Sequence, residues 1–189
     1  MTLLESQGLD AIVFQNPSNL RYLCGFSGSD GALLVAPGGD CFLCDSRYTT
    51  QANSQVVAAE LQEYRVKAEA IGAWLTAKAA KRIGFEAESL TVAGLERLQS
   101  QGPQGAEWIA LGKEPLAFRA CKDAEEVAAI QEAAALNAEA FAEVLPLFRP
   151  GAVERDLALA LEFALKRRGG EEKAFDFIIA SGPRGALPH

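Results

Sequence analysis

The stretch Phe175-Asp-Phe-Ile-Ile-Ala-Ser-Gly-Pro-Arg-Gly-Ala-Leu-Pro-His189 decides how the chain is read. Phe175, Phe177 and Ile179 fall two apart, the spacing of one buried face of a β-strand. Ser181, Gly182, Pro183 and Gly185 supply the turn chemistry that must end such a strand. The stretch therefore predicts a strand that delivers His189, the single histidine among 189 residues. Imidazole titrates near neutrality, so a strand-end loop that holds one in a cleft suits proton transfer or carbonyl recognition. A histidine on an unpacked segment is otherwise an ordinary solvated side chain, and the residues alone leave both readings open.

Outward from this stretch, composition narrows the function class. Hydrophobic residues make up 49% and charged residues 23% of the chain, the balance of a globular protein with enough length for two modest cores. A net charge of -7 argues against nucleic acid as a partner, because that affinity rests on Lys and Arg neutralising phosphates. The first residues, Met1-Thr-Leu-Leu-Glu-Ser-Gln-Gly8, lack the basic and long apolar segments of a secretory signal, and no apolar run has membrane-spanning length. A cytoplasmic protein with no membrane partner is the expectation, and its four cysteines, Cys24, Cys41, Cys44 and Cys121, are then expected to be reduced. Cys41-Phe-Leu-Cys44 invites a zinc or redox reading. It falls on a predicted strand, however, where residues three apart point to opposite faces, and no second Cys/His pair completes a zinc site.

Short strands alternate with helical patterns through the first two thirds. A helix at Leu3–Gln7 and a strand at Ala11–Phe14 are followed by a break at Asn16-Pro17-Ser18. The glycine-rich Gly25-Phe-Ser-Gly-Ser-Asp-Gly31 lacks the Lys and Ser/Thr of a phosphate-binding loop and is read as a backbone turn. Ala32–Ala36 and Cys41–Cys44 flank Pro37-Gly-Gly-Asp40 as a hairpin, and Asp45-Ser-Arg-Tyr48 leads into a helix reaching about Ala59. Further strands at Leu61–Val66, Arg82–Phe85 and Glu107–Ala110, with helices at Ala70–Lys81 and Thr91–Gln99, give an α/β domain with a mixed sheet.

Leu116–Lys122 is the predicted inter-domain linker. Asp123 and Glu126 then have capping-box spacing, and Val127, Ile130, Ala134, Phe141 and Leu145 trace a helical stripe that is expected to be core. Pro146 should end that helix, and a second, about Val153 to Arg168, presents Leu157, Leu161, Ala164 and Leu165 before Gly169-Gly170 stops it. The pairs Glu125-Glu126 and Glu171-Glu172 do not read as metal ligands, since adjacent helical residues do not face one site.

Four motifs carry a family resemblance over nearly the whole chain. Phe175 to His189 resembles the F-D-x-I-V-A-S-G-P-N-S-A-L-P-H segment of the Xaa-Pro aminopeptidase, prolidase and creatinase family. It keeps Ser181-Gly-Pro183 and Ala186-Leu-Pro-His189 but has Arg184-Gly185 where Asn-Ser is common. Gly25-Phe-x-Gly-Ser-x-Gly31 and Asp45-Ser-Arg-Tyr48 are similar to the family's N-terminal domain, and Arg119-Ala-Cys-Lys-Asp123 to its entry into the catalytic domain.

The resemblance implies a creatinase/prolidase-type mixed-sheet domain at 1–118, followed from 119 to 189 by the truncated start of an α+β pita-bread metallopeptidase domain. It implies hydrolysis of the bond preceding proline in a complete, dimeric protein that carries two divalent cations, manganese or cobalt-like. It also implies that His189 binds the substrate carbonyl or carries a proton, and that Arg47 helps wall the partner's active site, its guanidinium fork suiting a peptide carboxylate or carbonyl. Pairing of Arg47 with Asp45 or with a helix end is an equal reading of the same residue. The family's metal ligands, two Asp, one His and two Glu, all lie beyond His189, so the chain as written is expected to bind no metal and to be inactive. The alternative is a non-catalytic peptide-binding or dimerisation module on the same fold. Creatine hydrolysis falls within the fold as well, and nothing in the residues selects it.

Overall fold

The structure, a computed structural model, describes residues 2 to 187 and divides into two compact units, the first ending at Cys121 and the second beginning at Lys122. In the first unit α1 (Leu3–Gln7) opens on a capping box, with Thr2 Oγ1 accepting from Glu5 N–H and the Glu5 carboxylate accepting from Thr2 N–H. The strand β1 (Ala11–Phe14) follows, and then α2 (Pro17–Cys24), a helix where a break was expected. Asn16 Oδ1 accepts the free N–H groups of Ser18 and Asn19, and Pro17 occupies the first turn, where its missing N–H costs nothing. The hairpin β2 (Ala32–Val35) and β3 (Cys41–Cys44) forms as expected. The unit continues through α3 (Thr49–Gln55), β4 (Glu60–Glu63), α4 (Lys67–Ala77), β5 (Arg82–Glu86), α5 (Val92–Gln101), β6 (Glu107–Leu111) and α6 (Glu114–Ala117). That last short helix runs into the expected linker at Leu116 and Ala117.

The six strands form one mixed sheet in the order β4-β3-β2-β1-β5-β6. β2 is antiparallel to β1 and to β3, whereas β3/β4, β1/β5 and β5/β6 are parallel. Both faces are covered. Ala11, Val13, Leu34, Leu43 and Ile83 pack with Ile71, Leu75 and Leu98 of α4 and α5. Ile12, Phe14, Leu33 and Phe42 pack on the other side with Leu20, Cys24 and Ala52 of α2 and α3. Cys41 lies in the first layer and Cys44 in the second, as strand alternation requires. Burial pushes the Cys41 thiol up to about 11, which is the behaviour of a small inert hydrophobe.

Two backbone details explain how α4 sits. A Cβ on Gly72 would lie 2.0 Å from the Gln101 carbonyl oxygen, so only glycine lets α4 approach the end of α5 this closely. At its own end α4 turns through Ala79, whose φ of 51° is left-handed, with Ala79 N–H bonded to Thr76 O and Ala80 N–H to Leu75 O. That is the hydrogen-bond pattern of a helix terminus that ordinarily carries glycine. Ala79→Gly is therefore expected to stabilise the first unit by about 0.5–1 kcal/mol, the αL relief exceeding the added chain entropy. A rise in the urea midpoint at unchanged m-value would record it.

The second unit holds α7 (Ala124–Val144), a 3-10 turn at Leu145–Leu147 that contains Pro146, α8 (Glu154–Arg167), and a 3-10 turn at Gly182–Ala186. Asp123 and Glu126 form the expected capping box. Two expectations are corrected here. The stripe on α7 is not core: Val127, Ile130, Ala134, Phe141 and Leu145 are exposed, Ile130 by 54%, and α7 buries Ala140 and Val144 instead. At 1.5 Å per residue α8 covers about 21 Å, too short to face all of a helix about half as long again. Nor is residues 175–179 a strand. Phe177 and Ile179 are half-buried, but Phe175 is 76% exposed and no described strand pairs with the stretch. A lone strand lacks the ladder that stabilises it.

Candidate functional site

In the first unit two of the motifs meet in space. The loop after α2 and the turn after β3 lie side by side, with Ser29 Oγ 2.6 Å from the Tyr48 hydroxyl. Beneath them Phe26 is fully buried and packs on Phe42 and on the edge of Tyr48. Asp30, at the end of the loop, accepts the Tyr64 hydroxyl at 2.8 Å and pairs with Lys67 at the start of α4. Burial, followed by the bond to Asp30, raises the Tyr64 phenol well above its ordinary value.

Arg47 stands at the rim of this cluster. Its Nε reaches both Asp45 oxygens at 3.1 Å, its Nη2 reaches Asp45 Oδ2 at 2.6 Å, and Asp30 lies 3.9 Å away. The Arg47 guanidinium holds the Asp45 carboxyl below the usual carboxylate range. The guanidinium also lies over the Tyr48 ring, 5.3 Å from its centroid. Even so, the side chain remains 69% exposed. Two carboxylates face two cations in the cluster, and the Cys24 and Cys44 thiols are buried, which leaves the Arg47 guanidinium at the exposed rim. Asp30, Tyr64 and Lys67 were missed in the sequence. The only local signal was an Asp inside a glycine loop, with its partners more than 30 residues away.

In the second unit the loop after Ile179 packs beside the start of α8, around a cleft of about 340 Å³ lined by Val153, Glu154, Ala158, Phe177, Ile179 and Arg184, among others. Glu154 Oε1 accepts the Ser181 N–H at 2.9 Å and its hydroxyl at 3.4 Å, and Arg184 reaches Oε2 at 3.2 Å. His189, the candidate catalytic residue, lies outside the described residues. Among the described residues no three of His, Cys, Asp and Glu converge on a point that could hold a cation. Glu126 caps α7, and Glu143 is paired with Arg167 and Arg168. The described residues by themselves therefore do not fit a two-metal centre.

Residues 1–121 match the Creatinase/Prolidase N-terminal domain. The chain belongs to the creatinase/prolidase family. Its residues 128–189 match Metallopeptidase family M24, so the family assignment extends through both units. The creatinase/prolidase chain is 33% identical over 187 residues to uncharacterized peptidase YqhT of Bacillus subtilis, an alignment covering 96% of this chain and 52% of that protein. The solved Xaa-Pro dipeptidase from Bacillus anthracis is 29% identical with a TM-score of 0.93, covering 98% of this chain and 52% of the other. The N-terminal domain of the cytoplasmic peptidase PepQ from Mycobacterium tuberculosis is 34% identical with a TM-score of 0.56, covering 61% and 92%. The chain thus spans about half the length of the curated relatives it matches. Metallopeptidase relatives imply divalent metal in complete members of the family, and no helix among the described residues is long and apolar enough to cross a membrane.

Proposed function

We propose that this chain is the N-terminal part of an Xaa-Pro peptidase whose complete form cleaves the bond preceding proline in peptides. The observation that carries the reading is the continuous 187-residue alignment to a peptidase through both units, joined by near-complete structural overlap with an Xaa-Pro dipeptidase. Residues 1–118 are the accessory domain, and residue 119 opens the pita-bread domain. His189 meets the substrate carbonyl or carries a proton, while Arg47 contacts substrate in the neighbouring subunit of a homodimer. The two cations, manganese or cobalt-like, supply an activated water in the complete protein and are held by residues outside this chain. Cytoplasmic location accords with four unpaired cysteines and with the PepQ relative.

The alternative is a non-catalytic peptide-binding or dimerisation module on the same fold. Against it stands the apolar surface of the second unit, where Ile130, Phe141, Phe163 and Phe175 are exposed as in a core awaiting its other half. The deciding experiment has two arms. The 189-residue chain should show no sub-micromolar manganese binding by calorimetry and no Xaa-Pro hydrolysis. The same chain extended in frame to the length of its relatives should bind metal and hydrolyse an Xaa-Pro dipeptide or a longer Xaa-Pro peptide. An extended, metal-loaded protein that binds such peptides without cleaving them would establish the module instead.

A further inference from the structure

Among the described residues no strand ladder holds the stretch from Phe175 to Leu187, yet it is anchored at one point. Among the described residues, the hydrogen bonds and ion pairs that reach residues 177–187 from elsewhere in the chain all end on Glu154. Glu154 is the first residue of α8, a helix fixed by the buried Leu157, Leu161 and Ala164, and its side chain is only 24% exposed. Its two oxygens are divided. One takes the backbone and hydroxyl of Ser181, and the other takes the guanidinium of Arg184. Gly182, with φ of 56°, supplies the left-handed residue that lets the chain double back, so that residues three apart reach one carboxylate. The helix N-terminus favours a negative group at this position, and a carboxylate accepting N–H bonds makes a stronger contact than a neutral acceptor.

We propose that Glu154 is a positioning residue, a carboxylate clamp that fixes the Ser181–Arg184 loop and thereby the path of the chain to His189. In this role it does the work that strand pairing was expected to do. It also gives Arg184 a task, since its long side chain reaches the second oxygen. The purpose assigned to the clamp rests on the peptidase reading above, whereas its existence does not.

Residue-resolved hydrogen exchange on the 189-residue chain tests it. Glu154→Ala should speed exchange of the Ser181 amide about 10- to 100-fold, the loss expected for a hydrogen bond to a charged group. The amides of α8 from Leu157 onward should keep their rates. Glu154→Gln retains an oxygen for Ser181 and should restore its protection to within about threefold, because only the Arg184 contact is lost. An unchanged Ser181 amide in Glu154→Ala would overturn the clamp. So would acceleration of Ser181 and α8 together in both variants, since that would make Glu154 a helix-stabilising charge and nothing more. No catalysis is read, so failure of the clamp leaves the peptidase reading intact, and failure of the hydrolysis assay leaves the clamp.

Discussion

Glu86→Ala is expected to lower the unfolding free energy of the first unit by about 3–5 kcal/mol, while Glu86→Gln should cost less than about 1.5 kcal/mol. Glu86 ends β5 and is one of two buried polar side chains among the described residues, the other being Asn19. Its Oε2 accepts the Gln15 and Asn16 N–H groups at 2.6 and 2.7 Å, and its Oε1 accepts Asn19 Nδ2 at 2.5 Å. The carboxylate thereby ties the end of β5 to the junction of β1 and α2, two segments about 70 residues apart in sequence. Alanine would strand three donors in a buried site, each worth about 1–3 kcal/mol when unsatisfied, less what an entering water recovers. Glutamine keeps one oxygen for the two backbone donors, and its amide nitrogen can face Asn19 once that side chain turns its own oxygen inward. Urea unfolding of both variants at equal m-value measures the difference. Equal losses for Ala and Gln would show that the site needs charge rather than acceptors.

That junction also marks where sequence reasoning stopped short. β1, β2 and β3 were legible because each is a compact apolar run bounded by glycine, proline or a charged turn, and the hairpin followed from Pro37-Gly-Gly-Asp40, whereas β4, Glu-Leu-Gln-Glu, has a single apolar residue and lies at Glu60–Glu63 and not at Leu61–Val66. The helix α2 was equally signalled, by Asn at its cap and Pro in its first turn, but the same two residues also spell a break. Only the apolar partners Leu20 and Cys24, buried on the sheet, distinguish a helix from a loop, and that is a tertiary fact. Residues 175–179 failed for the opposite reason. Their period-2 pattern is genuine, as Phe177 and Ile179 show by turning inward, but periodicity reports a face and not a neighbour to pair with.

The candidate site was legible in its residue types and not in its contacts. Arg47 and Asp45 are near neighbours in sequence, so their pairing was one of the two readings considered. The approach of Asp30 to Arg47, Tyr64 and Lys67 depends on the order of β2, β3 and β4 in the sheet, which no local pattern encodes. Glu154 was hidden for a related reason. A glutamate opening a helix needs no explanation beyond the helix dipole, and its second task, 27 residues away, became visible only once the loop was placed.

In the protein extended through its catalytic half, His189→Ala is expected to reduce kcat by about 10²–10⁴-fold, the range for removing an acid–base or carbonyl-binding group. Metal content should not change, because the resemblance places His189 beside the cations and not among their ligands. The separation of these two measurements decides the role. Loss of metal together with kcat, rescued by excess manganese, would make it a ligand, and a nearly unchanged kcat would make it a surface residue. Arg47→Ala should act on the other parameter. A guanidinium offered across a dimer holds substrate equally in ground and transition states, so KM should rise while kcat and metal content stay near wild type. The bond network gives this variant its own control, since Arg47 also pairs with Asp45 and lies over Tyr48. Were those contacts its whole purpose, Arg47→Ala would loosen the turn after β3 and lower stability without changing KM. Exposed ion pairs contribute about 0–1 kcal/mol, so that loss would be small, and a KM increase in a stably folded variant would assign Arg47 to substrate.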